Sequence, residues 1–121
     1  MNGKIYSVII SDAALQMLDS HIYFLAKVSQ DAATKMMNQI LHDIESLSQN
    51  PARYPVYDSQ FIEPRYRKML TSKRYLVLYE ITDDAIYVDY IVDCRQDYEW
   101  LIRQITLSTS EKAHAAVANG V

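Results

Sequence analysis

The hydrophobic positions of this chain change period once, near its middle. Lys4 to Ile10 (KIYSVII) is short, β-branched and aromatic, which predicts a strand. Ser11-Asp12 follows, a good N-cap with an acid suited to a helix start. The spacing of Leu15, Leu18, Ile22 and Leu25 then predicts a helix from about Asp12 to Val28. A second helix is predicted from near Ser29 to about Ser48, with the stripe Ala33, Met36, Met37, Ile40, Ile44 and Leu47. Asn50-Pro51 closes it, because proline cannot continue a helix and restricts the residue before it. Two such helices in tandem make a hairpin with one shared apolar face.

Pro51, Pro55 and Pro64 mark residues 51–64 as a loop, and beyond them the period becomes that of strands. Tyr66 to Thr71, Tyr75 to Thr82 and Ile86 to Val92 are the predicted strands, with tight turns at Ser72-Lys73 and Asp83-Asp84. The middle strand, YLVLYEIT, has apolar residues on both faces. Arg95 to Ile102 reads as a short amphipathic helix. The expected fold class is α+β: an N-terminal helical hairpin packed on a small, mainly antiparallel four-stranded sheet, in the order β-α-α-β-β-β with a final short α. The first strand should pair beside one distant in sequence. The hairpin should cover one sheet face and leave the other, or the groove at its rim, for function.

Composition narrows the class. Half the residues are hydrophobic and 22% are charged, which suits one folded domain of 121 residues. No apolar run reaches the roughly 18 residues of a membrane helix, and Met1 to Lys4 lead directly into strand pattern, so neither a membrane span nor a signal peptide is expected. Cys94 is the single cysteine, expected as a half-buried residue at a strand end, and a reducing cytoplasm is the simplest compartment. The net charge of -3 speaks against a domain whose whole surface grips nucleic acid. The charge is uneven, however. Residues 65–74 (RYRKMLTSKR) carry five basic groups and no acid. The tail, 104–121, has no strong hydrophobic period. Its Ser108 and Glu111 match capping-box spacing, so a short helix or a frayed end is expected there.

Three stretches resemble the RelE/ParE toxin superfamily of type II toxin–antitoxin systems. They are the opening strand and two helices closed by Asn50-Pro51, the basic strand and its successor YRKMLTSKRYLVLYEI, and IYVDYIVDCRQDYEWLI, where a strand ends and a helix begins through Arg95, Asp97 and Tyr98. The resemblance covers about residues 4–102 and implies a toxin domain over 1–103. It also implies an antitoxin partner that wraps and neutralises the chain, and one of two targets. Some members cut messenger RNA on the ribosome, and others poison DNA gyrase. A homodimer or a toxin–antitoxin hetero-oligomer is the expected assembly.

Metal-free RNA cleavage needs a group to activate the ribose hydroxyl, positive charge on the phosphorane and a proton donor for the leaving oxygen. By resemblance, the candidates are Arg65 and Arg67 for phosphate, Arg95 for the transition state and Tyr98 as an orienting group or acid. Lys68, Lys73 and Arg74 are candidates for contacting nucleic acid or a protein partner. Strand alternation places Arg65 and Arg67 on one face, with Lys68 and Tyr66 on the other. The bland alternatives are a solvated basic strand, a salt pair between Arg95 and Asp97, and packing roles for Tyr98 and Trp100. The branch that cuts with a histidine–tyrosine pair should carry a histidine after the last strand, where this chain has Asp93-Cys94-Arg95. His21 and His42 fall on the helices and His114 in the tail. No glycine-rich phosphate loop or zinc spacing is present, so no cofactor or metal is expected. Three functions follow: a metal-independent endoribonuclease, a ParE-type gyrase inhibitor without chemistry of its own, or a non-toxic binding module that keeps the antitoxin surface.

Overall fold

The computed structural model describes residues 3–59, 65–96, 98–100 and 102–103. The tail 104–121, the end of the proline-containing loop and Asp97 lie outside the described residues. The chain folds as β1 (Ser7–Ile10), α1 (Asp12–Ala26), α2 (Gln30–Glu45), β2 (Tyr66–Thr71), β3 (Tyr75–Ile81) and β4 (Ala85–Asp93). Residues 98–100 and 102–103 are helical. The expected α+β class and element order are realised.

The helix starts follow the serines. Ser11 Oγ accepts from the Ala14 amide at 3.0 Å, and Ser29 Oγ accepts from Ala32 at 3.1 Å. The second helix stops at Glu45 and tightens into a 3-10 turn, Ser46–Ser48, before the left-handed Asn50. Residues 51–64 were expected as plain loop. Pro51–Arg53 forms another 3-10 turn, and the backbone of Pro55 and Tyr57 bonds to the outer edge of β2. Arg53 clamps this corner, donating to the carbonyls of Gln49 and Asn50.

The sheet order is β1-β4-β3-β2, antiparallel except that β1 runs parallel to β4. Thus the first strand does pair with one distant in sequence. The hairpin covers one face. Leu18, Ile40, Ile44 and Leu47 pack with Met69, Tyr75, Val77, Tyr79, Ile86, Val88 and Ile91. Leu15, expected in the α1 stripe, is 41% exposed, and Ala14 is buried in its place.

The second face, expected from sequence to be left for function, is not open. It carries its own apolar cluster of Tyr57, Tyr66, Leu76, Leu78, Tyr90 and Val92, covered by Ile102 at 2% exposure. The cause is β3, which is apolar on both sides and cannot present either to water. Of the predicted helix over Arg95–Ile102, residues 98–100 and 102 are helical, whereas Arg95 lies in the preceding turn. Cys94 is exposed rather than half-buried.

The β2–β3 turn places Ser72 at φ 53° and Lys73 at φ 59°, both left-handed. Arg74 N donates to the Thr71 carbonyl across this left-handed pair, which suits the twist of a hairpin but strains side chains that carry a Cβ. Replacing Ser72-Lys73 by Asn-Gly should raise stability by about 1 kcal/mol. Urea denaturation checks this, and unchanged or lower stability would show that the turn is not strained. In the same assay Ile86→Ala, a fully buried position near the start of β4, should cost roughly 2–5 kcal/mol.

Candidate functional site

The basic residues singled out by sequence fall in four different places. Arg65 precedes β2. Its guanidinium donates to Tyr66 Oη at 3.3 Å and lies 3.7 Å from Glu80. Tyr66 in turn donates to Asp89 at 2.6 Å. Asp89 is the extra residue at the irregularity between β3 and β4, where Leu78 pairs with Tyr90 and Tyr79 with Val88. Burial and the bond to Asp89 push the Tyr66 hydroxyl well above the ordinary phenol range.

Arg67 points the other way, toward the 3-10 corner. It donates to the carbonyls of Tyr54 at 2.6 Å and Ala52 at 3.3 Å. Beside it Tyr79 donates to the Pro51 carbonyl at 2.6 Å, and burial raises that hydroxyl to about 12. Alternation was expected to place Arg65 and Arg67 on one face. The two diverge because Arg65 lies outside the strand ladder and turns onto Glu80.

Arg95 lies at the opposite end of the sheet, with Arg74. Both surround Asp93, which is 4% exposed. The Asp93 carboxylate accepts from Arg95 N at 2.9 Å, Nε at 3.1 Å and a terminal nitrogen at 2.9 Å, and from Arg74 Nε at 3.2 Å. The bonds from Arg95 dominate and hold the Asp93 carboxyl well below the usual carboxylate range. Asp93 pairs with Tyr75 and Tyr66 pairs with Glu80. The two ends are therefore five strand residues, about 17 Å, apart. Lys73 is in the adjoining turn.

Tyr98 belongs to a further group. Tyr57 donates its hydroxyl proton to the Glu99 carboxylate, and its oxygen lies 3.2 Å from the Tyr98 hydroxyl. Lys68 Nζ stands 5.7 Å above the Tyr57 ring. Burial, then the bond to Glu99, raises the Tyr57 hydroxyl far beyond the phenol range. This cluster ties the short C-terminal helix to the strip beside β2. Sequence reasoning did not single out Tyr57, Asp89 or Asp93. Only Asp93, an acid next to Arg95 at a strand end, left a readable signal.

The structure therefore brings Arg74 and Arg95 together, and Tyr98 with Lys68 through Tyr57. It does not bring Arg65, Arg67 and Arg95 around one point. Residues 8–98, most of the chain, match the family described as the ParE toxin of the type II toxin–antitoxin system parDE. The chain belongs to the ParE toxin family. No curated protein matches it. Among solved structures, a chain of the "Chromosomal ParDE TA system from P. aeruginosa" is similar, with TM-score 0.62 and 15% identity. The match covers 74% of this chain and 96% of that one, and at such identity it speaks for the fold alone. Among the described residues of this ParE-family chain, no helix is long and apolar enough to cross a membrane.

Two tests follow from the geometry. A carboxyl whose folded pKa is depressed adds stability above its unfolded pKa, about 4, and loses it as pH falls toward the folded value. Stability should therefore fall less steeply below about pH 4 in Asp93→Asn than in the parent, measured by denaturation at stepped pH. Parallel slopes would contradict the role given to Asp93. Tyr57→Phe should raise amide hydrogen exchange in residues 98–103 selectively, at a global cost of about 1 kcal/mol. Unchanged exchange there would mean that the hydroxyl does not hold the helix.

Proposed function

We propose that this chain is a growth-inhibiting toxin, neutralised by an antitoxin, that acts by binding DNA gyrase and not by cutting RNA. Membership of the ParE toxin family supports the toxin–antitoxin role. The separation of the arginines supports the choice of target. A phosphorane needs its cation, base and acid within a few ångströms of one phosphate. Here Arg65 and Arg95 are engaged by Glu80 and Asp93 at opposite ends of the sheet. Arg67 is engaged by loop carbonyls, and the Tyr98 hydroxyl is held against Tyr57. The net charge of -3 also suits a protein target better than the ribosome's phosphate surface.

In this reading Arg65, Arg67 and Tyr98 hold the fold, and the antitoxin covers apolar surface together with basic residues. Induction of the toxin without its antitoxin, followed by pulse-labelling, tests the reading. DNA synthesis should fall and cells should filament while protein synthesis at first continues. Immediate translation arrest would contradict gyrase as the target. Harmless induction would leave the non-toxic module as the correct reading.

A further inference from the structure

An open sheet has free edges, and this chain guards them unequally. The outer edge of β2 is closed by the strip beside it, where Tyr57 N donates to the Tyr66 carbonyl and Lys68 N to the Pro55 carbonyl. That strand also carries Arg67 and Lys68, charges that discourage pairing with another strand. β4 runs on past its pairing with β1, and groups of α1 and its cap serve the edge left there. Ser11 Oγ donates to the Asp89 carbonyl at 3.4 Å, and His21 Nε2 lies 2.9 Å from the Ile91 carbonyl. The outer edge of β1 has no such cover among the described residues.

Ser7 N donates to the Asp84 carbonyl and Ser11 N to the Val88 carbonyl. Strand alternation therefore turns the peptide groups of Ser7, Ile9 and Ser11 toward β4, and those of Val8 and Ile10 outward. Tyr6 N also points outward and donates to the Ser48 carbonyl, but that contact lies before the strand begins. Among the described residues, nothing bonds the outward peptide groups of Val8 and Ile10. The strand reads Ser-Val-Ile-Ile in unbroken register with β4, without a charge, a proline or a bulge to discourage a partner. Val8 and Ile10 pack into the core under the hairpin, so Ile9 points to the other face, beside Tyr87. There Ile9 is 43% exposed, and Ile5, just before the strand, is 69% exposed.

We propose that this edge pairs with the β1 edge of a second copy of the chain, antiparallel and about a two-fold axis at Ile9. Val8 of one copy and Ile10 of the other exchange both peptide hydrogen bonds, and symmetry repeats the exchange. The register follows from which groups are free. An axis at Val8 would set Ile10 against Tyr6, whose N–H is already taken, and an axis at Ile10 would set Val8 against Asp12, which is helical. The axis at Ile9 uses both residues of both copies. It also stands the two Ile9 side chains directly opposite, as a non-hydrogen-bonded pair, where side chains come closest. Charge agrees with the antiparallel sense. Residues 5–11 hold no charged group, with Lys4 before them and Asp12 after, so each Lys4 end lies toward the Asp12 end of the other copy. Each feature of the edge thus finds its match in the same edge, which favours a second copy over an unrelated strand. The inference rests on β1 alone, so it can fail while the gyrase reading stands, and the reverse.

The test is sedimentation of the full chain over about a hundredfold range of concentration, joined to cysteine cross-linking in a Cys94→Ser background. A monomer–dimer equilibrium is expected. Ile9→Lys, at a partly exposed position, sets two like charges face to face and should weaken dimerisation about tenfold or more. Under mild oxidation Ile9→Cys should link two copies, because directly opposed strand residues lie within disulfide reach. Ser7→Cys, on the same face, should not, because the axis sets the two Ser7 positions roughly 13 Å apart along the strands. If Ile9→Lys disturbs the fold, seen as a changed circular dichroism spectrum, the cysteine pair still decides. A chain that stays monomeric throughout leaves the edge to an extended segment of another protein and overturns the proposal. So does a dimer that a folded Ile9→Lys leaves equally strong, or one that fails to link through Ile9→Cys or links as readily through Ser7→Cys.

Discussion

The constraint on which the rest depends is that β3 and β4 are apolar on both faces. Val77, Tyr79, Ile86, Val88 and Ile91 face the helical hairpin, while Leu76, Leu78, Tyr90 and Val92 face the other way. Burial of that much apolar surface is the main favourable term in folding a small domain. Both faces must be covered, so the chain needs two lids. The amphipathic hairpin is one. The other is assembled from Tyr57 in the strip beside β2 and from Tyr98 and Ile102 in the C-terminal helix. Two polar contacts help set these lids: Tyr57 to Glu99, partly buried, and Tyr79 to the Pro51 carbonyl, a buried bond between neutral groups.

A sheet occupied on both sides decides where charge can go. Arginines cannot gather on an open face that does not exist. They move to the ends of the sheet or into the loop corner, and each takes a local partner there. At the hairpin-turn end the guanidinium groups of Arg74 and Arg95 are anchored by the buried Asp93 carboxylate, and Arg95 is exposed. That arrangement suits recognition better than bond cleavage. A binding surface can be spread out, whereas a catalytic site must converge.

Much of the fold was legible because its elements are locally consistent. Serine caps open both helices, Asn50-Pro51 marks the end of the hairpin, and Tyr66–Thr71 was bounded correctly by its pattern and turn. The two-sided apolar character of YLVLYEIT was also visible. Its consequence, a second covered face, was not drawn because the covering residues, Tyr57 and Ile102, are far from it in sequence. The candidate site was read less well. Resemblance supplied candidate residues, but alternation cannot tell that Arg65 turns onto Glu80 or that Arg67 reaches back to Tyr54. Arg74 and Arg95, which sequence reasoning gave separate roles, come together through Asp93. Its role depends on the pairing of Tyr75 with Asp93, a register that no local pattern encodes.

The central claim is that this scaffold inhibits by occupation and not by chemistry. Its most direct test uses the purified chain in two reconstituted reactions, DNA supercoiling by gyrase and translation of a defined messenger on ribosomes. The account predicts dose-dependent loss of supercoiling, with the messenger left intact at the same concentrations. Messenger cut within the ribosomal complex, with supercoiling untouched, would contradict it.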